Sequence, residues 1–207
     1  MVANTGIAGN IPVAEMTSDK WDHVMDVNAK GTFLCYKYAG MKMIEQGNGG
    51  RTIGVSSIYG KQGGAVNFAC TASKFAIRGL TQAAALEFGP HGITVNVYAP
   101  GAIDTDMLAD IATEDYPHQA IIEGFKKQPP LGLIGVPADI ANMVSFIASK
   151  ESRYITGQSA GENRDHMASI ACTNDLYSGG TPALFVQMAL LDPRRLISLK
   201  VEGCPTS

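Results

Sequence analysis

The sequence predicts an α/β protein in three layers, a doubly wound parallel sheet with helices on both faces. Short apolar runs at Met1 to Ala3, Arg51 to Ser56 and Ile93 to Tyr98 alternate with helical stretches too long for hairpin connections, and such alternation calls for parallel strands with right-handed crossovers. Asn4, Ser57 and Pro100 each stand just after one of these runs, where a doubly wound sheet places its ligand. With 207 residues and 45% hydrophobic content, the chain can bury one sizeable core.

The elements follow in order. Val2 and Ala3 read as the end of a strand entering the glycine turn Gly6-Ile7-Ala8-Gly9. Thr17-Ser18-Asp19 supplies N-cap residues for a helix around Trp21 to Val27, and a second periodic stretch from Gly31 to Glu45 is stopped by Gly47-Asn48-Gly49-Gly50. A buried strand over Arg51 to Ser56 precedes a long helix from Thr71 to Phe88, ended by Gly89-Pro90. After the strand Ile93 to Tyr98, the breakers Tyr116-Pro117 and Gln128-Pro129-Pro130 make the stretch from Ala102 to Gly135 a lid with short helices. Pro137-Ala138-Asp139 starts a helix through Ile147. Further on, Thr181-Pro182 offers a helix start reaching Leu191, and Leu196 to Val201 a short strand.

Composition excludes several partners. A net charge of −3 without a basic stripe argues against nucleic acid, and no apolar run is long enough for a bilayer, so a soluble, cytoplasmic protein is expected. Cys35, Cys70, Cys172 and Cys204 form no C-x-x-C pair and have no histidine at ligand spacing, which predicts no metal; a tail disulfide between Cys172 and Cys204 stays open. His23, His91, His118 and His166 stand apart in helical or turn contexts and are expected to be structural.

The motif carrying the most information is Val55-Ser56-Ser57-Ile58-Tyr59-Gly60 with Cys70-Thr71-Ala72-Ser73-Lys74 and the run Phe75-Ala76-Ile77-Arg78-Gly79-Leu80-Thr81-Gln82. It resembles the short-chain dehydrogenase/reductase family, in which a strand-end serine is followed by a helix opening with Tyr-x-x-x-Lys. Ser57 and Lys74 occupy the family positions, and Cys70 stands in the tyrosine's place. The resemblance covers roughly Val2 to Gln158 and implies a Rossmann-like sheet, incomplete at its N-terminal half. It also implies interconversion of a small alcohol and ketone by hydride transfer with NAD or NADP, the protein binding, orienting and moving a proton.

By the same resemblance, Ser57 would donate a hydrogen bond to the substrate oxygen as charge develops, Lys74 would hold the cofactor ribose and lower the proton donor's pKa, and Asn28 would anchor a water leading to the lysine. Asn4 and Gly6 match the turn lining the adenine side. In Pro100-Gly101-Ala102-Ile103-Asp104-Thr105, Pro100 and Gly101 open the nicotinamide loop and Ile103 and Thr105 match its carboxamide contacts. Cys70 breaks the pattern: a phenol oxygen reaches about 6.5 Å from its Cα and a thiol sulfur only about 2.8 Å, so the acid is too short without a bridging water. The thiol is expected to be activated by Lys74, and Tyr59 offers a possible stand-in at the rim.

Three further departures bear on function. No G-x-x-x-G-x-G turn is present to hold a pyrophosphate, so the chain matches the family from about 80 residues into its domain, and weak cofactor binding is expected. Tyr154-Ile155-Thr156-Gly157-Gln158 leads not to the family's last strand but to Ser159-Ala160-Gly161-Glu162, which divides the chain into a partial domain over 1–158 and a divergent tail over 159–207, expected to stand outside it. Leu133 replaces a common arginine. Impaired turnover is the first expectation; a non-catalytic protein pairing with a copy or a full-length sibling through helices 31–45 and 71–88 is the second, and a truncated gene product the third.

Overall fold

The computed structural model describes residues 1–161 except Ile111, Asp115, Gln128 and Pro130. Four parallel strands, β1 (Val2–Ala3), β2 (Gly50–Val55), β3 (Ile93–Tyr98) and β4 (Ser159–Ala160), lie in the order β1-β2-β3-β4. Between them run α1 (Ser18–Met25), α2 (Gly31–Gln46), α3 (Phe68–Phe88), α4 (Asp106–Ala109), α5 (His118–Lys126) and α6 (Pro137–Ala148). The doubly wound, three-layer arrangement is therefore present. The helix and strand expected beyond residue 180 lie outside the described residues, as do Cys172 and Cys204.

Alternation along the strands builds the two faces. Ile93 and Val95 point to one side and pack with Tyr36 of α2 and Ala85 of α3, whereas Ile53, Val55 and Tyr98 point to the other and pack with Ile147, Ile140, Met143 and Val144 of α6. Both faces of the central strands are covered, as parallel sheets require. Burial of each such aliphatic side chain contributes roughly 1.5–3 kcal/mol.

Local chemistry sets the helix ends. Thr17 Oγ1 accepts from the Lys20 amide at 3.3 Å to start α1, and Gly47 closes α2 with φ of 68°, in the left-handed region where glycine carries no Cβ penalty. Pro137 fills the first turn of α6, and Asp139 Oδ2 accepts from the Val136 amide at 2.9 Å.

Two boundaries differ from the sequence reading. Helix α3 starts at Phe68, earlier than Thr71, because the Ile11 amide donates to Val66 O at 2.7 Å and the Ile11–Asn67 bridge fixes the chain just before the first turn. A last strand is retained: Ser159 and Ala160 pair with Val97 and Tyr98, so the sheet runs past Gln158. Backbone geometry needs only a few extended residues for this pairing, and the changed sequence supplies them.

Gly54 lies under the Tyr36 hydroxyl, which it admits only because a Cβ there would collide with the phenol; the hydroxyl itself shares a 2.8 Å hydrogen bond with Thr81 Oγ1 and joins α2 to α3. Burial pushes the Tyr36 phenol up to about 12. Gly54→Ala is expected to lower the urea midpoint by the equivalent of about 1–3 kcal/mol through overpacking. Val66, a β-branched residue at φ of 57° with its side chain largely exposed, gives the opposite expectation: Val66→Gly raises stability by roughly 1 kcal/mol in the same measurement.

Candidate functional site

The site is assembled around a buried amide. Asp26–Lys30 forms a five-residue π-helical turn between α1 and α2, and this widened turn carries Asn28 inward. Asn28 Oδ1 accepts from the Ile7 amide at 2.9 Å, while Nδ2 donates to Ile7 O at 3.0 Å and to Ser73 Oγ at 3.0 Å. Ser73 Oγ in turn donates to Cys70 O at 2.8 Å. The glycine turn, the π-turn and α3 are thereby joined through one fully buried side chain.

Lys74 reaches out from the next position of α3. Its Nζ donates to Val55 O at 3.2 Å at the end of β2, and its backbone carbonyl accepts from Ser56 Oγ at 2.9 Å. Gly6 is seated against it: a Cβ on Gly6 would stand 3.2 Å from Lys74 Nζ and 3.3 Å from Asn28 Oδ1. The ammonium has three donors and one hydrogen-bonded protein acceptor, which leaves donors suited to sugar hydroxyls. Burial lowers the Lys74 pKa, with Cys70 opposing.

Ser57 follows β2 and caps the short turn Ile58–Gly60, its Oγ accepting from the Tyr59 amide at 3.2 Å and its own O–H left to donate. The turn is fixed from both sides. Ile58 N donates to Pro100 O at 2.9 Å, tying it to the loop after β3, and Arg78 Nη1 donates to Gly60 O at 2.6 Å. Tyr59, offered by the sequence only as an alternative donor, lays its ring over Gly64, where a Cβ would collide with it; the ring is folded onto its own loop.

Cys70 lies in the first turn of α3, buried, one helical turn before Lys74. The expectation of an activated thiol is corrected here. Burial raises its pKa and outweighs the lowering by Lys74, because the thiolate loses more hydration than the ammonium returns. The thiol is held protonated at neutral pH.

The remaining sequence-selected residues line the same end of the sheet. The loop Pro100 to Thr105 leaves β3, and Ile103 pairs with Gly135 in an isolated bridge with Asp104 N donating to Gly135 O at 2.9 Å and Gly135 N to Ala102 O at 3.2 Å, so the lid is closed at its base. Thr105 Oγ1 donates to Ile103 O at 3.3 Å. His118, at the start of α5, places Nε2 3.3 Å from Asp104 Oδ1, too poorly aligned for a hydrogen bond. Asn4, just past β1, accepts a hydrogen bond from the Tyr98 hydroxyl. Sequence reasoning missed Ser73 and Tyr98; Ser73 sits within the quoted motif, whereas the cross-sheet contact of Tyr98 leaves no local signal.

The donor set fits the ribosyl-nicotinamide half of a dinucleotide, since the Lys74 donors and the Pro100 loop border one edge. Among the described residues, none of the G-x-x-x-G-x-G type faces that edge. An open groove lined by Val13, Met16, Trp21 and Phe68 shares no residue with this set. Iodoacetamide is expected to modify exposed Cys35 first and Cys70 only slowly, with the Cys70 rate climbing at pH above the ordinary thiol range, as read by peptide mass spectrometry.

Comparison with known proteins agrees with this geometry. Residues 1–161 match the family model described as enoyl-(acyl carrier protein) reductase. A short-chain dehydrogenase/reductase of Armillaria gallica is 49% identical over 159 residues, covering 76% of this chain and 61% of that protein. Acetoin dehydrogenase from Enterobacter cloacae superposes with a TM-score of 0.67 at 34% identity, covering 78% of this chain and 61% of that one. A 4-hydroxyisoleucine dehydrogenase complexed with NADH gives a TM-score of 0.71 at 29% identity, covering 79% of this chain and 66% of the other. The chain thus spans about 61% of the length of the first relative it matches. With the motif, the parallel sheet and the matched span in agreement, the chain belongs to the short-chain dehydrogenase/reductase family.

Proposed function

We propose that this chain carries the substrate-oxygen side of an NAD(P)-linked oxidoreductase site for a small alcohol or ketone, weakened by Cys70. The observation that carries the reading is the buried Lys74, short of acceptors, whose Nζ donates to Val55 O two residues before Ser57 and lies beside Gly6, as does Asn28 Oδ1. Ser57 donates to the substrate oxygen, Lys74 orients the ribose side, Asn28 holds the turn and α3 in place behind it rather than anchoring a water through its amide, and Pro100, Gly101, Ile103 and Thr105 border the nicotinamide. Bound there, the nicotinamide would supply or accept the hydride. The structure with NADH among the relatives supports the cofactor class.

The limiting element is the proton donor. Cys70 is short, buried and protonated, so it neither reaches the oxygen nor shuttles a proton readily. Titrating NADH and NADPH while following the fluorescence of Trp21 tests the cofactor half, with weak saturation expected; no saturable change at millimolar cofactor sinks the reading. Cys70→Tyr is expected to raise turnover of a simple hydroxyketone by about 100 to 10,000-fold, the contribution of a positioned acid.

A second reading has its own observation. Leu34, Tyr38 and Met41 form an exposed stripe at helical spacing on α2, and Phe75 is exposed on α3 near Gly79, which has open space where a Cβ would be. We infer that these helices pair with a second copy or a longer sibling, burying that surface. Tyr38→Glu combined with Phe75→Glu is expected to shift the sedimentation coefficient to that of a monomer; an unchanged oligomer overturns the pairing.

A further inference from the structure

Tyr98 closes the inner end of β3, and its ring lies among the apolar residues facing α6. The side chain is 3% exposed, yet its hydroxyl crosses β2 and donates to Asn4 Oδ1 beyond the end of β1. Strand β1 has two residues and pairs with β2 through Val2–Ile53 and Ala3–Gly54. A buried phenol needs a hydrogen-bond partner, and here the partner is an exposed side chain at the ligand end of the sheet.

We propose that Tyr98 is a positioning residue that sets the polarity of Asn4. The inference rests on the cofactor reading above. With Oδ1 engaged by the phenol, the amide presents its Nδ2–H2 group outward as a donor. The group this arrangement favours beside Asn4 is an acceptor, such as a ribose or phosphate oxygen of the adenosine half of a dinucleotide. The nicotinamide half, held by Lys74 and the Pro100 loop, does not depend on this contact. Neither Tyr98 nor its link to Asn4 is apparent from the motif residues.

The test is calorimetric binding of ADP-ribose and of nicotinamide mononucleotide to the full chain. Tyr98→Phe is expected to weaken ADP-ribose by about threefold to tenfold, the loss of one neutral hydrogen bond, and to leave nicotinamide mononucleotide unchanged. Asn4→Asp, which replaces donor hydrogens by an acceptor oxygen, weakens ADP-ribose at least as much. In the ligand-free protein, the side-chain ¹⁵N–¹H signals of Asn4, assigned by their loss in Asn4→Asp, shift in Tyr98→Phe. Signals that stay in place overturn the contact. A Tyr98→Phe variant with a lower unfolding midpoint but unchanged ADP-ribose affinity shows a merely structural tyrosine and overturns the positioning role. Binding of nicotinamide mononucleotide without ADP-ribose overturns this inference and leaves the cofactor reading standing; binding of neither overturns both.

Discussion

The amide of Asn28 makes three hydrogen bonds in a place water does not reach, and the segments that meet there are distant in sequence. Its pairing with both backbone groups of Ile7 works like one rung of a sheet, made by a side chain. Loss of that amide would strand the part-buried Ile7 N–H and C=O, each costing up to about 1–3 kcal/mol to leave unsatisfied, while the Ser73 hydroxyl would keep its bond to Cys70 O. The π-turn exists to serve it. A regular helix would advance the same residue around the axis, away from Ile7, so the local irregularity is the condition for joining the turn to α3. Thr32 Oγ1 donates to Asn28 O at 2.8 Å and meets one carbonyl of that widened turn.

From this anchor the placement of the other groups follows. Ser73 is held by Asn28, so Lys74 emerges toward the end of β2, and Ser56 grips the Lys74 carbonyl from the strand side. Close packing then determines the electrostatics. Desolvation dominates at both Cys70 and Lys74, and their mutual attraction recovers only part of it. Lys74 in the folded chain gives up its proton below the usual lysine range near about 10.4, so the unfolded chain binds more protons there and folding gains stability as pH rises through that window. Cys70 has the opposite sign: its raised pKa makes the folded chain the better proton binder above the ordinary thiol range, and stability falls as pH rises further.

Much of this was legible in the residues. Periodicity and the Gly and Pro stops marked β2, β3, α2 and α6, because each depends on local pattern and on burying one face. Ser57 and Lys74 were legible by their spacing and Asn28 by its local run, and in the structure Lys74 Nζ and Asn28 Oδ1 both lie beside Gly6 while Lys74 donates to the end of β2 just before Ser57. The acid strength of Cys70 was not, because it depends on how much water the packed helix excludes, a property of the fold around it. Tyr98 was equally hidden: its partner stands just past the end of a strand two places away in the sheet, and no sequence spacing encodes that reach. Strand β4 was missed since its pairing with Val97 and Tyr98 uses backbone groups that any residue carries.

The bridge between Ile103 and Gly135 gives the lid a neck. Among the described residues, the segment from α4 to the loop before α6 is tied at its base by two backbone hydrogen bonds between residues 102–104 and Gly135, and Ile121 and Ile122 of α5 are buried. The entropy of tethering such a loop grows only logarithmically, about 0.6 kcal/mol for each doubling of its length. Exposed stretches of this segment, away from Ile121 and Ile122, can therefore be lengthened, shortened or rewritten with little effect on the core, and the register of Ile103 is kept. That separation makes the exposed part of the segment between Ile103 and Gly135 a region whose sequence can drift during evolution without the rest of the molecule having to be rebuilt.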